Sequence, residues 1–268
     1  MGDGPTYEID TTVASVARVY DYALGGKDNY PADRVAFERI EATAPSLRPL
    51  AMNNRRFLER VVRVLAEDYG VRQFLDHGSG LPTQDNVHQI ARRSAPDARV
   101  VYVDHDPMVV THSRALLEGV ANTAIIQADF RDIDAVFGDS RTRELLDLSK
   151  PVAALFVSVL HCIPDSDDPG GLLRRVADRL PPGSFLVVNQ LVSENAALRA
   201  WMTEFMAEHT DLGWGRVRQR HEVRRYFEGL EVLPPGLVEI STWRPDSALA
   251  PRQITDEWIE FGGVARTD

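Results

Sequence analysis

A short apolar run that ends in an acidic residue and two closely spaced glycines constrains this chain more than any other feature. Residues 74–83 read Phe-Leu-Asp-His-Gly-Ser-Gly-Leu-Pro-Thr. Glycine permits a tight turn and a close approach of the backbone to a ligand, and a helix that follows would offer free N–H groups. The segment therefore predicts the strand-to-helix turn at which an open α/β sheet binds a nucleotide-like cofactor.

Composition narrows the class of protein and of partner. The 268 residues suffice for one large domain, or for one domain with an accessory segment, and their formal net charge is −10. This charge disfavours nucleic acid and membrane surfaces, so we expect a small-molecule partner. The single cysteine, Cys162, and the lack of an apolar signal or membrane-spanning run predict a cytoplasmic protein. Composition leaves the oligomeric state open.

Two patterns of hydrophobic spacing divide the chain. Helical spacing predicts an N-terminal helical segment, residues 1–69, with helices over 11–24, 31–44 and 53–69. A domain of alternating strands and helices follows over 70–268. Its predicted strands are residues 73–76, 99–104, 124–127, 152–157 and 184–191, and its first helix is 83–94. This alternation predicts an α/β parallel sheet covered on both faces, and 230–233 with 238–243 predicts a final hairpin.

The glycine turn favours one cofactor over another. A dinucleotide-binding turn carries a third glycine that is missing after Gly80, and it places a pyrophosphate where Asp76 would repel it. The sulfonium and amino groups of S-adenosylmethionine would instead be attracted to Asp76, with Gly78 beside them. The alternatives are a purely structural turn and an NAD(P)-dependent oxidoreductase.

Acidic residues also follow the second and third predicted strands. Asp104, next to His105, lies near the offset at which a carboxylate holds ribose hydroxyls, and Asp106 would cap the next helix. Asp129 can accept from an adenine amine while Phe130 lies against the ring. Each Asp could instead be a helix cap. Because the strand ends share one edge of the sheet, the three carboxylates together predict a ligand site.

These motifs resemble the cofactor motifs of class I S-adenosylmethionine-dependent methyltransferases. Residues 18–30, Arg-Val-Tyr-Asp-Tyr-Ala-Leu-Gly-Gly-Lys-Asp-Asn-Tyr, resemble the signature of an actinobacterial methyltransferase family formerly catalogued as a domain of unknown function, as do 74–83, 159–165 and 243–245. The resemblance covers nearly the whole chain. It implies a Rossmann-like sheet, mostly parallel with an antiparallel C-terminal strand, and S-adenosyl-L-methionine as cofactor. His77 and Cys162 stand where the family more often has apolar residues.

The segment 18–30 admits two interpretations. From the residues alone, Gly25 and Gly26 predict either a helix C-cap with solvated charges or a flexible lid. The resemblance favours a lid over the cofactor, with Tyr20, Tyr22 and both glycines close to it.

The stretch after the fourth strand completes the predicted site. In methyltransferases it borders the transferring methyl group, so the resemblance places Ser158 beside the cofactor. His161 could be a general base, although a lone histidine is more often structural. No histidine spacing predicts a metal site. We therefore expect a methyltransferase with an unidentified, small-molecule acceptor; the alternative class is a non-catalytic cofactor-binding or regulatory protein.

Overall fold

A computed structural model describes residues 9–82, 85–210, 214–247, 252–253, 255 and 257–267. Thr83, the last residue of the opening motif, lies outside the described residues.

A single mixed sheet organises the described chain. Its strands are β1 (Gln73–His77), β2 (Arg99–Asp104), β3 (Thr123–Gln127), β4 (Ala153–Val157), β5 (Phe185–Val192), β6 (Glu231–Val232), β7 (Val238–Glu239) and β8 (Ile259–Arg266). Their order is β3-β2-β1-β4-β5-β8-β6, and β7 also pairs with β8. Strands β1 to β5 are parallel, whereas β8 is antiparallel to β5. The predicted α/β sheet with an antiparallel C-terminal strand is confirmed.

The prediction of a terminal hairpin is wrong. The two short strands β6 and β7 pair with β8, a strand that the hydrophobic pattern did not predict. β8 contains two consecutive glycines, which are unfavourable in strands, so its sequence does not indicate one. Gly262 is required by packing: a Cβ atom there would lie 1.9 Å from the carbonyl oxygen of Val188 on β5.

Ten helices surround the sheet in the described chain. They are α1 (Val16–Ala23), α2 (Pro31–Thr43), α3 (Leu47–Glu67), α4 (Val87–Ser94), α5 (Pro107–Leu117), α6 (Ile133–Gly138), α7 (Ser140–Leu145), α8 (Pro169–Ala177), α9 (Ala196–His209) and α10 (Arg220–Arg225). α2 begins at Pro31 as predicted. α3 begins before residue 53, because Pro49 falls in its first turn, where an N–H has no partner within the helix. α4 begins later than residue 83.

Both faces of the sheet are buried. Successive strand residues point to opposite sides, so Leu75 packs into one apolar cluster and Phe74 into another. Phe57 and Val61 of α3 belong to the cluster of Phe74, so α3 is part of the layer that covers the sheet. The predicted domain boundary at residue 69 stays a prediction.

The first two helices form a third cluster over the carboxyl edge of the sheet. Phe37 of α2 packs there with Met202 of α9 and with Trp258. A buried ion pair joins α1 to α2, since Arg18 Nε lies 2.9 Å from Asp33 Oδ2 and both side chains are almost fully buried. This arrangement holds α1 above the ends of the parallel strands.

Candidate functional site

A cavity of about 230 Å³ lies where the carboxyl ends of the parallel strands meet helices α1 and α3. Side chains from the strand ends form its floor, and the N-terminal helices close one side. Its polar and aromatic lining includes Tyr20, Asn54, Arg55, Asp76, Gly78, Gly80, Asp104, His105, Asp129, Phe130, Ser158 and His161. The strand edge thus brings together most of the residues that the sequence singled out.

Backbone hydrogen bonds to β2 hold the glycine turn between residues 78 and 80 in place. Gly78 and Gly80 have φ angles of 67° and 66°, a region that favours glycine. A Cβ atom at Gly78 would lie 2.7 Å from Cγ1 of Val159, so the chain passes closely there. The N–H groups of Gly78 and Ser79 both donate to the carbonyl oxygen of Val103, at 2.8 and 3.2 Å. The turn presents a compact backbone surface to the cavity, with these two amides already bonded.

Asp104 ties the second strand to that turn. Its Oδ2 accepts the N–H of Gly80 at 2.9 Å and its Oδ1 accepts the N–H of Asp106 at 3.0 Å. Burial raises the pKa of this carboxyl group, although both hydrogen bonds oppose the rise. Asp106 caps α5 as predicted, accepting from the N–H of Met108 at 2.8 Å. Exposed His105 has Nδ1 3.8 Å from Asp104 Oδ1.

Asp76 is the least compensated acidic group in the cavity wall. Its side chain is 6% exposed and accepts no hydrogen bond from the described part of the chain. Burial raises its pKa to about 7, a rise that the positive charge of Arg55 opposes and the negative charge of Asp104 increases. A buried carboxylate without a donor favours a cationic ligand.

The third strand contributes a paired carboxylate and a ring. The Nε–H of Arg131 is shared between the two oxygens of Asp129, at 3.0 and 2.9 Å, and Nη2 of Arg131 donates to Oδ2 at 2.5 Å. Although burial acts in the opposite direction, these bonds lower the pKa of Asp129. Phe130 is almost buried and packs edge-on against Phe156, with ring centroids 6.1 Å apart.

The N-terminal signature divides between the cavity and its support. Tyr20 lines the cavity; its Oη accepts from Asn54 Nδ2 at 2.9 Å and donates to the carbonyl of Ala51 at 3.2 Å. Tyr22, Gly25 and Gly26 are not among the lining residues.

Tyr22 and Gly26 serve local packing, and Gly25 turns the chain after α1 with a φ angle of 81°. Tyr22 packs edge-on against Phe37 at 5.2 Å. A Cβ atom at Gly26 would lie 1.9 Å from an oxygen of Asp21, so the chain turns around that carboxylate. Their predicted contact with the cofactor stays a prediction.

His161 is buried in a 3-10 turn, Leu160–Cys162, beside the cavity. Its Nδ1 lies 3.2 Å from the backbone nitrogen of Leu191 and accepts that N–H. Burial, and then the positive charge of Arg218, lowers its pKa to about 3. The neutral imidazole consequently carries its proton on Nε2, where it can donate but not accept. This arrangement gives no support to the prediction of a general base at His161.

Three functional candidates were not predicted from the sequence: Asn54, Asn189 and Glu260. Ser158 Oγ donates to Glu260 Oε1 at 2.6 Å, and Asn189 Nδ2 lies 2.8 Å from Glu260 Oε2 and 2.9 Å from Asn54 Oδ1. These residues come from different elements of the fold. In the sequence, only the polar Asn189 within an otherwise largely apolar strand indicated that this group could be functional.

Membrane-spanning helices and metal clusters are both absent from the described residues. None of the helices there is both long and apolar enough to span a bilayer. No group of histidine, cysteine, aspartate and glutamate side chains in this part of the chain is arranged to hold a metal ion.

The sheet order, the antiparallel strand β8 and the acidic glycine-turn cavity define a class I methyltransferase fold. A family model described as S-adenosyl methyltransferase matches residues 3–268, and the chain belongs to this family. Its cofactor is S-adenosylmethionine.

Solved structures are similar over the whole chain. A candidate methyltransferase from Thermobifida fusca YX is 38% identical, with a TM-score of 0.90 and full coverage of both chains. A DUF574 family protein from Streptomyces avermitilis is 39% identical, with a TM-score of 0.88 and coverage of 97% of this chain and 100% of the other. The predicted family is confirmed. No curated protein matches the chain.

Proposed function

We propose that this protein transfers a methyl group from S-adenosylmethionine to a small-molecule acceptor inside the cavity between α1, α3 and the strand ends. The observation that carries the proposal is Asp76, a buried carboxyl group that lines this cavity and has no donor in the described chain. S-adenosylmethionine supplies an electrophilic methyl group on a positively charged sulfur. Methyl transfer then depends largely on holding the acceptor in line with that group.

The described residues fit this cofactor. Asp76 would attract the positively charged methionyl end, and the backbone of Gly78 and Gly80 would lie beside it. Asp104 keeps lone pairs on both oxygens for ribose hydroxyls after accepting its two backbone N–H groups. Phe130 offers an apolar surface to the adenine ring, and Asp129 a carboxylate to its amine.

A small acceptor agrees with the walls of the cavity. Apolar side chains from α1, α3 and the strand ends contribute much of the lining; they include Val16, Ala17, Leu58, Leu81, Val157, Val159 and Ile163. α1 also contributes Tyr20 to this lining. The net charge of −10 also opposes nucleic-acid acceptors.

Transfer of a labelled methyl group tests this proposal. The protein would be incubated with methyl-labelled S-adenosylmethionine and, separately, a panel of small hydroxyl and amine compounds, a mixed peptide pool and RNA. We expect label only in the small-molecule panel. Label in peptide or RNA would contradict the acceptor class. Tight cofactor binding without transfer to any of the three would favour a non-catalytic binding protein.

A further inference from the structure

A buried acidic group lies directly behind the cavity wall. Glu260 on β8 is 2% exposed, and each of its oxygens accepts a hydrogen bond. Ser158 Oγ donates to Oε1 at 2.6 Å and Asn189 Nδ2 to Oε2 at 2.8 Å. Since Glu260 does not itself line the cavity, Ser158 is the group that connects it to a bound molecule.

The backbone holds Ser158 in that bridging position. Its φ angle is 58°, which is uncommon for serine, and its N–H donates to the carbonyl of Asn189 at 3.0 Å. A left-handed conformation at a non-glycine residue is retained where surrounding structure enforces it, commonly at functional sites. Because the hydroxyl proton is donated to Glu260, the oxygen keeps its lone pairs for a donor in the cavity.

Resting on the methyl transfer proposed above, we infer that Ser158 and Glu260 take up the proton that the acceptor loses. The acceptor's nucleophilic atom forms a bond to the methyl carbon, and the carbon–sulfur bond breaks with its electron pair left on sulfur. The acceptor's proton passes to Oγ of Ser158 as the hydroxyl proton passes to Oε1 of Glu260. Ser158 contacts the acceptor directly, and Glu260 acts through Ser158.

The surroundings of Glu260 suit a group that gains and loses a proton near neutrality. Burial raises its pKa to about 7, against the hydrogen bonds of Ser158 and Asn189, and the charge of Glu239 on β7 adds to the rise. Tyr20 on α1 and Cys162 in the 3-10 turn also face its charge; burial is the main cause of their raised pKa values of about 12.

Neighbouring polar and charged groups complete this environment. Asn54 of α3 reaches Glu260 through Asn189, and Arg224 of α10 lies over the ring of Phe261, 5.1 Å from its centroid. None of these groups places a positive charge in hydrogen-bonding contact with the carboxyl of Glu260. A substrate class follows from this proton transfer: the atom to be methylated arrives with a proton, as in a hydroxyl group or an amine that carries hydrogen.

Under this mechanism the positive sulfur of S-adenosylmethionine favours ionised Glu260, whereas with S-adenosylhomocysteine, whose sulfur is neutral, Glu260 keeps its pKa of about 7 and is half protonated at pH 7. The two ligands share the amino group that Asp76 would meet and differ in the charge on sulfur. Titration calorimetry of each ligand at pH 7, in buffers of different ionisation enthalpy, counts the protons released. We expect S-adenosylmethionine to release up to about half a proton more than S-adenosylhomocysteine, because a group with a pKa near 7 is half protonated there.

Matched variants assign this difference. Glu260→Gln keeps the size of the side chain and should abolish the difference, whereas Glu231→Gln, at an exposed position of β6, should retain it. Persistence of the difference in Glu260→Gln, or its loss in Glu231→Gln, would overturn the assignment. Circular dichroism establishes that each variant is folded.

The wild-type protein alone provides a second measurement. The ratio of the two dissociation constants should change in favour of S-adenosylmethionine as the pH rises towards 7, by at most about tenfold per pH unit, and level off above it. A ratio independent of pH between 5.5 and 8.5 would overturn the inference while leaving the cofactor site intact. Failure of both ligands to bind would overturn the proposed function as well.

Discussion

The carboxylate of Asp104 accepts the amide N–H of Gly80 across 2.9 Å, and so connects the end of β2 to the glycine turn after β1. This contact makes one residue responsible for two tasks. Asp104 holds the turn that shapes the cavity, and it lines the same cavity as a candidate ribose partner. Two substitutions of different severity separate these tasks.

Replacing Asp104 with alanine should weaken S-adenosylmethionine binding by about 1–3 kcal/mol, because buried donors lose their acceptor. Asp104→Asn should have a smaller effect, since its amide oxygen can still accept one N–H. Asp139→Ala is a control, because Asp139 caps α7 outside the cavity wall. Calorimetric dissociation constants measure the effect, and an unchanged constant for Asp104→Ala would remove Asp104 from the site.

The raised pKa of Asp76 predicts a pH dependence of binding that both ligands share. Below pH 7 the carboxyl group is protonated and loses its attraction for the amino group, so both dissociation constants should rise as the pH falls. Asp76→Asn should bind both ligands more weakly and lose this common dependence. A variant that retained wild-type affinity would show that the cofactor amine lies elsewhere.

Asp76 should also lower the stability of the ligand-free protein at high pH. Its folded-state pKa of about 7 exceeds the value of 3.8 for an exposed group, so the folded protein binds more protons between these values. Stability therefore falls as the pH rises through this window. Asp76→Asn should raise the free energy of unfolding at pH 8 by roughly 1–3 kcal/mol. Denaturant unfolding of both proteins at pH 5 and pH 8 measures it; a stabilisation at pH 5 as large as at pH 8 would contradict the prediction.

The two glycines of the turn should differ in their tolerance of a side chain. Both have positive φ, but a Cβ at Gly80 meets nothing within 4 Å whereas one at Gly78 meets Val159 at 2.7 Å. Gly80→Ala should cost about 1–2 kcal/mol of stability, and Gly78→Ala about 1–3 kcal/mol more. Adding Val159→Ala should recover part of the loss in Gly78→Ala. Equal unfolding midpoints for the two single variants would refute the steric argument.

His77 should destabilise the protein in acid. It is buried and stacked on Phe156, with ring centroids 4.2 Å apart, and burial lowers its pKa to about 3. The unfolded chain therefore binds more protons than the folded one between about pH 6.5 and 3, so the free energy of unfolding decreases as the pH is lowered through this range. His77→Phe should gain about 2 kcal/mol relative to wild type between pH 7 and pH 5. A pH-independent difference in denaturant unfolding would contradict this.

Local chemistry explains which parts of the site were predictable. A strand followed by an acidic residue and a glycine turn is encoded within ten residues, so the sequence alone predicts the places of Asp76, Gly78 and Gly80. The same holds for Asp104 and Asp129, since each ends a parallel strand and such ends share one edge of a sheet. The N-terminal signature predicted proximity to the cavity, and its Tyr20 lines it.

Long-range packing decided the rest. Strand β8 contains two glycines that weaken any strand prediction, and the role of Gly262 is visible only against Val188 of β5. Ser158 meets Glu260 across 102 positions of sequence, and Asn189 meets Asn54 across 135. The sequence by itself determined the parallel strands of the sheet, the family and the cofactor, because these depend on short motifs and hydrophobic spacing. Only the tertiary structure placed Glu260 behind the cavity, because burial and hydrogen bonding between distant elements are properties of the packed molecule.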